Sequence, residues 1–79
     1  MTPPRVVVYS KPGCHLCEDA CRDVARIATD LDVTWSERDI SNDADLMAQW
    51  AEYVPVLLVD GEVHGWFRVD EARLRRALR

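Results

Sequence analysis

The chain has 79 residues, a formal net charge of −4 at pH 7 and an apolar content of 48%. This length predicts one domain over residues 1–79, and the apolar content is enough for a core, which argues against intrinsic disorder. The negative charge argues against nucleic acid as the main partner. The early apolar run Val6–Tyr9 is too short for a secretion signal, and no stretch is long enough for a membrane span.

The first half of the chain predicts a strand, a helix and a second strand. Val6–Ser10 is β-branched and apolar, which favours a strand buried on both faces, and a loop follows at Lys11-Pro12-Gly13. Apolar residues at helical spacing then predict a helix over about Cys14–Asp30. The apolar positions of this helix and its end are Cys17, Ala20, Cys21, Val24, Ile27, Ala28 and Leu31. Val33–Ile40 is the second predicted strand.

The second half predicts a helix, a hairpin and a final helix. Ser41 is the expected N-cap of a helix that carries Leu46, Met47 and Trp50 on one face and ends before Pro55. The remaining elements are a strand at Pro55–Val59, a turn at Asp60-Gly61, a strand at Glu62–Gly65 and a helix at about Val69–Leu78. The order β-α-β-α-β-β-α predicts an α/β fold in which helices flank a four-stranded mixed sheet on both faces.

Cys14 and Cys17 form a C-x-x-C motif directly after the first strand, at the start of the first helix. Near a βαβ pattern this motif indicates thiol–disulfide exchange. A helix N-terminus lowers the pKa of a cysteine from about 8.5 to as little as 3.5–7.5, which favours a Cys14 thiolate. Cys17 lies one turn further in and keeps its proton longer, so that one sulfur attacks and the other resolves. The odd number of cysteines, three, fits a reducing cytoplasm.

The cysteines also allow interpretations besides thiol–disulfide exchange. Zinc could use several of Cys14, Cys17, Cys21, His15 and His64, although structural zinc sites usually take two cysteine pairs. An iron–sulfur cluster shared by two chains, a pair of inert core cysteines and a non-catalytic adaptor are also compatible with the motif. Cys21 is expected to be a core residue, and a role as an auxiliary thiol stays open. Thiol–disulfide exchange requires no metal or cofactor, and we expect a monomer.

Several other residues are candidates for the site or for docking. Lys11 could hold a thiolate or an anionic substrate, and His15 is either solvated or, as imidazolium, stabilises the Cys14 thiolate. Trp66-Phe67 is expected to pack in the core, and Trp66 is also a candidate for lining the substrate groove. Five arginines against two acidic residues in 66–79 indicate either a solvated final helix or a basic docking face.

Two segments resemble glutaredoxins of the thioredoxin superfamily, most closely the short bacterial branch with a C-H-x-C motif. Residues 9–17, Tyr-Ser-Lys-Pro-Gly-Cys-His-Leu-Cys, resemble the active-site segment, and Tyr53-Val54-Pro55-Val56 resembles the segment with a cis proline. Asp60-Gly61-Glu62-Val63 matches the hairpin that follows. The resemblance spans nearly the whole chain and implies a thioredoxin fold and a glutaredoxin-like thiol–disulfide oxidoreductase.

The resemblance also implies residue roles. Cys14 is the nucleophile and Cys17 the resolving thiol, Pro55 packs beside the sulfur pair, and the Val54 backbone pairs with a bound peptide or thiol as an added strand. Lys11 matches the lysine near the glutathione carboxylate. The implied substrates are protein or low-molecular-weight disulfides.

The chain departs from the glutaredoxin pattern at three places. His15 stands where many glutaredoxins have proline, Glu52 replaces a basic or amide residue, and His64-Gly65-Trp66-Phe67-Arg68 replaces a Gly-Gly-x-Asp segment. These departures predict that glutathione is a poor partner.

Overall fold

The structure is a computed structural model that describes residues 2–79. It contains three helices and four strands in the predicted order. The elements are β1 (Val6–Ser10), α1 (His15–Leu31), β2 (Trp35–Asp39), α2 (Ala44–Trp50), β3 (Val56–Val59), β4 (Glu62–Trp66) and α3 (Glu71–Leu78). None of the helices within residues 2–79 is long and apolar enough to cross a membrane.

The four strands form one mixed sheet in the order β2-β1-β3-β4. β1 pairs with β2 in parallel, whereas β3 is antiparallel to both β1 and β4. Asp60 and Gly61 join β3 to β4 with φ values of +52° and +86°, the left-handed pair that a two-residue hairpin turn requires. The predicted α/β architecture and this turn are therefore confirmed.

The main core lies between one face of the sheet and the helices α1 and α3. Its buried members are Val6, Val8, Ala20, Val24, Ile27, Leu57, Leu74 and Leu78. Burying an aliphatic side chain of this size contributes about 1.5–3 kcal/mol. The core is thus the main source of stability, and it fixes the position of α1 and hence of its N-terminus.

The expectation that β1 is buried on both faces is wrong. Val6, Val8 and Ser10 are buried, but Val7 and Tyr9 on the opposite face are only half-buried. The shorter helix α2 packs around Tyr9 near the end of β1 and leaves the part of that face around Val7 partly open. Alternation of side chains along the strand explains the resulting pattern.

The predicted N-cap Ser41 is wrong, and Asp43 caps α2 instead. The Asp43 carboxylate accepts a hydrogen bond from the Leu46 N–H at 3.1 Å. The Asp43 N–H donates to the Ile40 carbonyl, so a turn occupies the residues in between and delays the helix. The predicted face of this helix is confirmed, because Leu46, Met47 and Trp50 pack on a common cluster.

Other boundaries differ by a few residues. β2 is shorter than the predicted Val33–Ile40, β3 begins one residue after Pro55, and β4 continues to Trp66. α3 begins at Glu71 because Asp70 caps it through the Arg73 N–H at 3.1 Å.

The arginines of α3 take part in contacts with α1 and β4. Arg75 pairs with Asp30 at 2.7 Å and with Glu71 at 2.9 Å, while Arg26 of α1 also pairs with Glu71, at 2.8 Å. These arginines hold the pKa of the Glu71 carboxyl at about 2, mainly through the hydrogen bond from Arg26 and then that from Arg75. The ion pairs assign Arg75 to helix packing, which favours the solvated structural helix over a basic docking face.

Candidate active site

The sulfur atoms of Cys14 and Cys17 lie at disulfide-bonding distance at the N-terminus of α1. Gly13, at φ +76°, provides the left-handed turn that leads from β1 into the helix. Cys14 is the N-cap, and its Sγ accepts a hydrogen bond from the Cys17 N–H at 3.2 Å. Cys14 is partly exposed, whereas only 2% of Cys17 is exposed. The two sulfurs therefore differ in access to a substrate.

Helix α2 supplies the surroundings of the sulfur pair. Cys17, Ile40 and Val54 form a second buried cluster, separate from the main core. The partly buried residues packed against this cluster are Tyr9, Cys14, Leu46, Met47 and Trp50. Because Cys14 and Cys17 both contact this cluster, the packing of α2 defines the apolar environment of both sulfurs.

The peptide bond between Val54 and Pro55 is cis, as the resemblance implies. Val54 is buried, and within residues 2–79 its N–H and C=O make no backbone hydrogen bond. The Pro55 carbonyl instead accepts the Phe67 N–H at 2.9 Å. The Val54 backbone thus has unused hydrogen-bonding groups, which an extended chain can pair with.

The side chains of Lys11 and His15 make different contacts near the motif. The Lys11 Nζ donates to the Ala51 carbonyl at the C-terminal end of α2, at 3.0 Å, which ties the loop before Cys14 to that helix. The His15 side chain is 96% exposed, and its Nδ1 lies 3.7 Å from a carboxylate oxygen of Glu18. His15 therefore faces solvent at the first turn of α1.

The expectation that Trp66 and Phe67 pack in the core is wrong. Trp66 is 49% exposed and Phe67 is 43% exposed. Both residues lie close to Pro55. Trp66 pairs in the sheet with Val56, the residue after Pro55, and the Phe67 N–H donates to the Pro55 carbonyl. β4 is an edge strand, Trp66 is its last residue and Phe67 lies in the loop that follows, so the two rings lie at the border of the sheet and remain at the surface.

The family model described as Glutaredoxin-like domain (DUF836) matches residues 5–79. The chain belongs to the glutaredoxin-like domain family. It is 29% identical over 80 residues to a protein of Mycobacterium tuberculosis described as uncharacterized, covering 95% of this chain and 82% of that protein. The match to the family model confirms the resemblance drawn from residues 9–17 and 53–56.

Solved structures support the same fold. A structural-genomics target from X. campestris is 30% identical, with a TM-score of 0.75, and the match covers 92% of this chain and 93% of that one. The holo form of glutaredoxin C1 from Populus tremula × tremuloides is 21% identical, with a TM-score of 0.58, covering 95% of this chain and 83% of that one. The glutaredoxin-like chain therefore has a thioredoxin fold.

Tyr53 is a residue of the glutaredoxin-like site that was not among the candidates predicted from the sequence. Its ring lies 6.2 Å from that of Trp50 and 6.0 Å from that of Trp66, both edge to face. It also stacks on Phe67 at 6.2 Å. Its position two residues before Pro55 is the sequence signal that could have identified it.

Cys21, the third cysteine of the glutaredoxin-like domain, is half-buried beside Glu37 of β2. Burial raises the pKa of the Cys21 thiol to about 11, with further contributions from the charge of Glu37 and a hydrogen bond to it. The Ser10 hydroxyl also donates to Glu37, at 2.7 Å. A thiol this weakly acidic is a poor nucleophile at neutral pH, which favours a packing role for Cys21.

The five cysteine and histidine residues that could have bound zinc do not form a common cluster. Within the described part of the chain, no three histidine, cysteine or acidic side chains come together in a way that could hold a metal ion. His64 lies on β4, where its carbonyl accepts a hydrogen bond from Arg73. Burial lowers the pKa of His64, and the charge of Arg73 lowers it further.

Proposed function

We propose that this glutaredoxin-like protein is a thiol–disulfide oxidoreductase in which Cys14 attacks and Cys17 resolves. The observation that carries this proposal is the asymmetric sulfur pair at the start of α1. Cys14 is partly exposed and accepts the Cys17 N–H, whereas Cys17 is buried. A hydrogen bond to a charged group contributes about 1.5–3 kcal/mol, more than one to a neutral group, so this N–H favours the thiolate.

Reduction of a disulfide proceeds in two exchanges. The Cys14 thiolate attacks one sulfur of the substrate disulfide and forms a mixed disulfide with it, the substrate S–S bond breaks, and the other substrate sulfur leaves as a thiolate that takes up a proton. Cys17 then loses its proton and attacks the Cys14 sulfur, which releases the sulfur bound to Cys14 as the second substrate thiol. The substrate gains two electrons, and the protein is left with a Cys14–Cys17 disulfide. Two molecules of an external thiol, or one dithiol, restore both cysteines by the same exchange and become a disulfide themselves.

The surroundings of the sulfur pair support binding of a disulfide in an extended conformation. The unpaired backbone groups of Val54, held beside Pro55, can form strand-like hydrogen bonds with the substrate. Trp66 offers an exposed apolar surface next to this segment, and Lys11 in the loop before Cys14 and His15 directly after it are proposed polar contacts for the substrate. The proposed partners are protein or low-molecular-weight disulfides, and the proposed setting is a reducing cytoplasm, which keeps Cys21 a free thiol.

Turnover of a synthetic peptide disulfide with dithiothreitol as reductant tests the proposal. The wild-type protein and Cys21→Ser should both accelerate reduction above the uncatalysed rate. Cys14→Ser should abolish the acceleration, and Cys17→Ser, mixed with the peptide disulfide before dithiothreitol is added, should stop at a mixed disulfide. Acceleration that survives in Cys14→Ser, or that is lost in Cys21→Ser, would contradict these roles.

A further inference from the structure

A groove of about 370 Å³ begins beside the C-x-x-C motif and runs between α1 and the loop that connects β4 to α3. Leu16, which lies between Cys14 and Cys17 in the motif, forms one wall, and Phe67 forms the other. Ala20 and Val69 also line the groove. This volume is at the lower end of the roughly 300–1,000 Å³ of small-molecule sites, so it suits one large side chain rather than a folded partner.

The backbone at Phe67 is strained. The Arg68 N–H donates to the Trp66 carbonyl at 2.9 Å, which closes a three-residue turn with Phe67 at its centre at φ +68°. A turn of this γ type with a positive central φ is rare and strained. Glycine would adopt it at lower cost, but the chain has phenylalanine there.

Burial in the core does not compensate for this strain, because Phe67 stays largely exposed. The Phe67 N–H is held by the Pro55 carbonyl, and its ring stacks on Tyr53. Strained residues of this kind cluster at ligand-binding sites, where the surrounding structure maintains them. The strained backbone conformation therefore places the Phe67 ring at the groove, beside the cis-proline segment.

Four of the five exposed large apolar side chains within residues 2–79 lie in or near this groove, and the fifth is Val63. Leu16 and Phe67 line the groove, Tyr53 stacks on Phe67, and Trp66 lies edge to face with Tyr53. Apolar surface grouped in this way indicates an interaction site rather than ordinary surface scatter.

Four charged side chains also line the groove: Asp19, Arg22, Asp23 and Arg68. Asp19 pairs with Arg22 at 2.6 Å, and Asp23 lies 3.7 Å from Arg26, so three of these four charges have a partner of opposite charge. The Leu16 and Phe67 side chains are the largest apolar groups of the lining.

We propose that Leu16 and Phe67 form a specificity subsite for an apolar side chain of an extended polypeptide disulfide. The proposal rests on the proposed function, since the substrate cysteine must reach Cys14. Alternate side chains of an extended chain point the same way, so the residue two positions from the substrate cysteine points toward the protein surface together with the sulfur. With the substrate backbone paired to Val54, that side chain enters the groove. Glutathione has no side chain to fill it.

Mixed disulfides between short peptides and a chromogenic aryl thiol provide the test. Each peptide has a central cysteine and, two positions before or after it, either leucine or serine. The rate constant for aryl thiol release by the reduced protein is measured for each peptide and for the glutathione aryl disulfide. One of the leucine peptides should react about tenfold faster than its serine counterpart and than the glutathione probe.

Two variants assign the preference to the groove. Phe67→Gly suits the positive φ, so it removes the ring without a backbone penalty, and Leu16→Ser removes the other wall. Both should reduce the leucine-to-serine ratio to about one. Val63→Ser, a matched control at the exposed apolar residue outside the groove, should keep the wild-type ratio.

The outcomes separate this proposal from the proposed function. Equal rates for leucine and serine peptides in the wild type, or a ratio that persists in both groove variants, would overturn the subsite while leaving thiol exchange in place. No aryl thiol release from any probe would overturn the exchange reaction and the subsite with it.

Discussion

The chemistry of Cys21 provides a quantitative test of whether the site consists of two cysteines or three. With its pKa at about 11, only about one Cys21 in ten thousand is a thiolate at pH 7, against about one in thirty for a free cysteine with a pKa of about 8.5. The difference is about 300-fold. A more basic thiolate is intrinsically more nucleophilic, which recovers about 15-fold, so Cys21 should alkylate about twentyfold more slowly than a free cysteine.

The measurement uses a variant in which both Cys14 and Cys17 are serine, so that Cys21 is the only thiol. Its alkylation rate as a function of pH should rise toward a midpoint near 11. Glu37→Gln removes the charge beside the sulfur but keeps the burial, so the midpoint should fall and remain above the free value. Glu18→Gln, which removes a carboxylate from the helix that carries Cys21, is the matched control and should leave the midpoint unchanged. A midpoint at 9 or below before Glu37 is changed would refute this assignment and restore Cys21 as a possible exchange partner.

Three further predictions concern stability and selectivity. Asp43→Ala should lower the unfolding free energy by about 1 kcal/mol, a fall in Tm of about 4–8 °C in a thermal melt, whereas Ser41→Ala should have little effect. Because the folded-state pKa of Glu71 is about 2, below its ordinary value of 4.5, its contribution to stability is present above pH 4.5 and is lost as the pH falls toward 2. The wild type should therefore be more stable than Glu71→Gln at pH 7, and the two melts should converge near pH 2. Glu52→Arg should raise the glutathione-driven rate of disulfide reduction, most clearly at low salt, since this is a surface charge effect; an unchanged rate would contradict the predicted discrimination.

Local sequence patterns predicted much of the fold because local physics decides those elements. The run Val6–Ser10 and the pair Asp60-Gly61 have few alternatives to a strand and a tight turn. The C-x-x-C motif was placed correctly for the same reason, since the loop before it requires the left-handed Gly13.

Tertiary contacts decided the features that the sequence did not reveal. Ser41 and Asp43 are both good N-caps, and the turn from Ile40 to Asp43 selects the second. Phe67, at positive φ, donates its N–H to the distant Pro55 carbonyl, and its ring lines the groove beside α1 instead of entering the core. No periodicity or propensity in the sequence carries that information, so Trp66 and Phe67 were expected in the core by their apolar character alone.

The most direct test of the proposed mechanism is to trap the intermediate. Reduced Cys17→Ser and Cys14→Ser proteins are each mixed with a peptide disulfide, and the adducts are located by mass spectrometry of the digested protein. The mechanism predicts that Cys17→Ser accumulates one peptide per chain on Cys14, while Cys14→Ser forms an adduct far more slowly, because its remaining active-site sulfur is buried. Comparable adduct formation in both variants, or an adduct that lies mainly on Cys21, would contradict the assignment of Cys14 as the attacking sulfur.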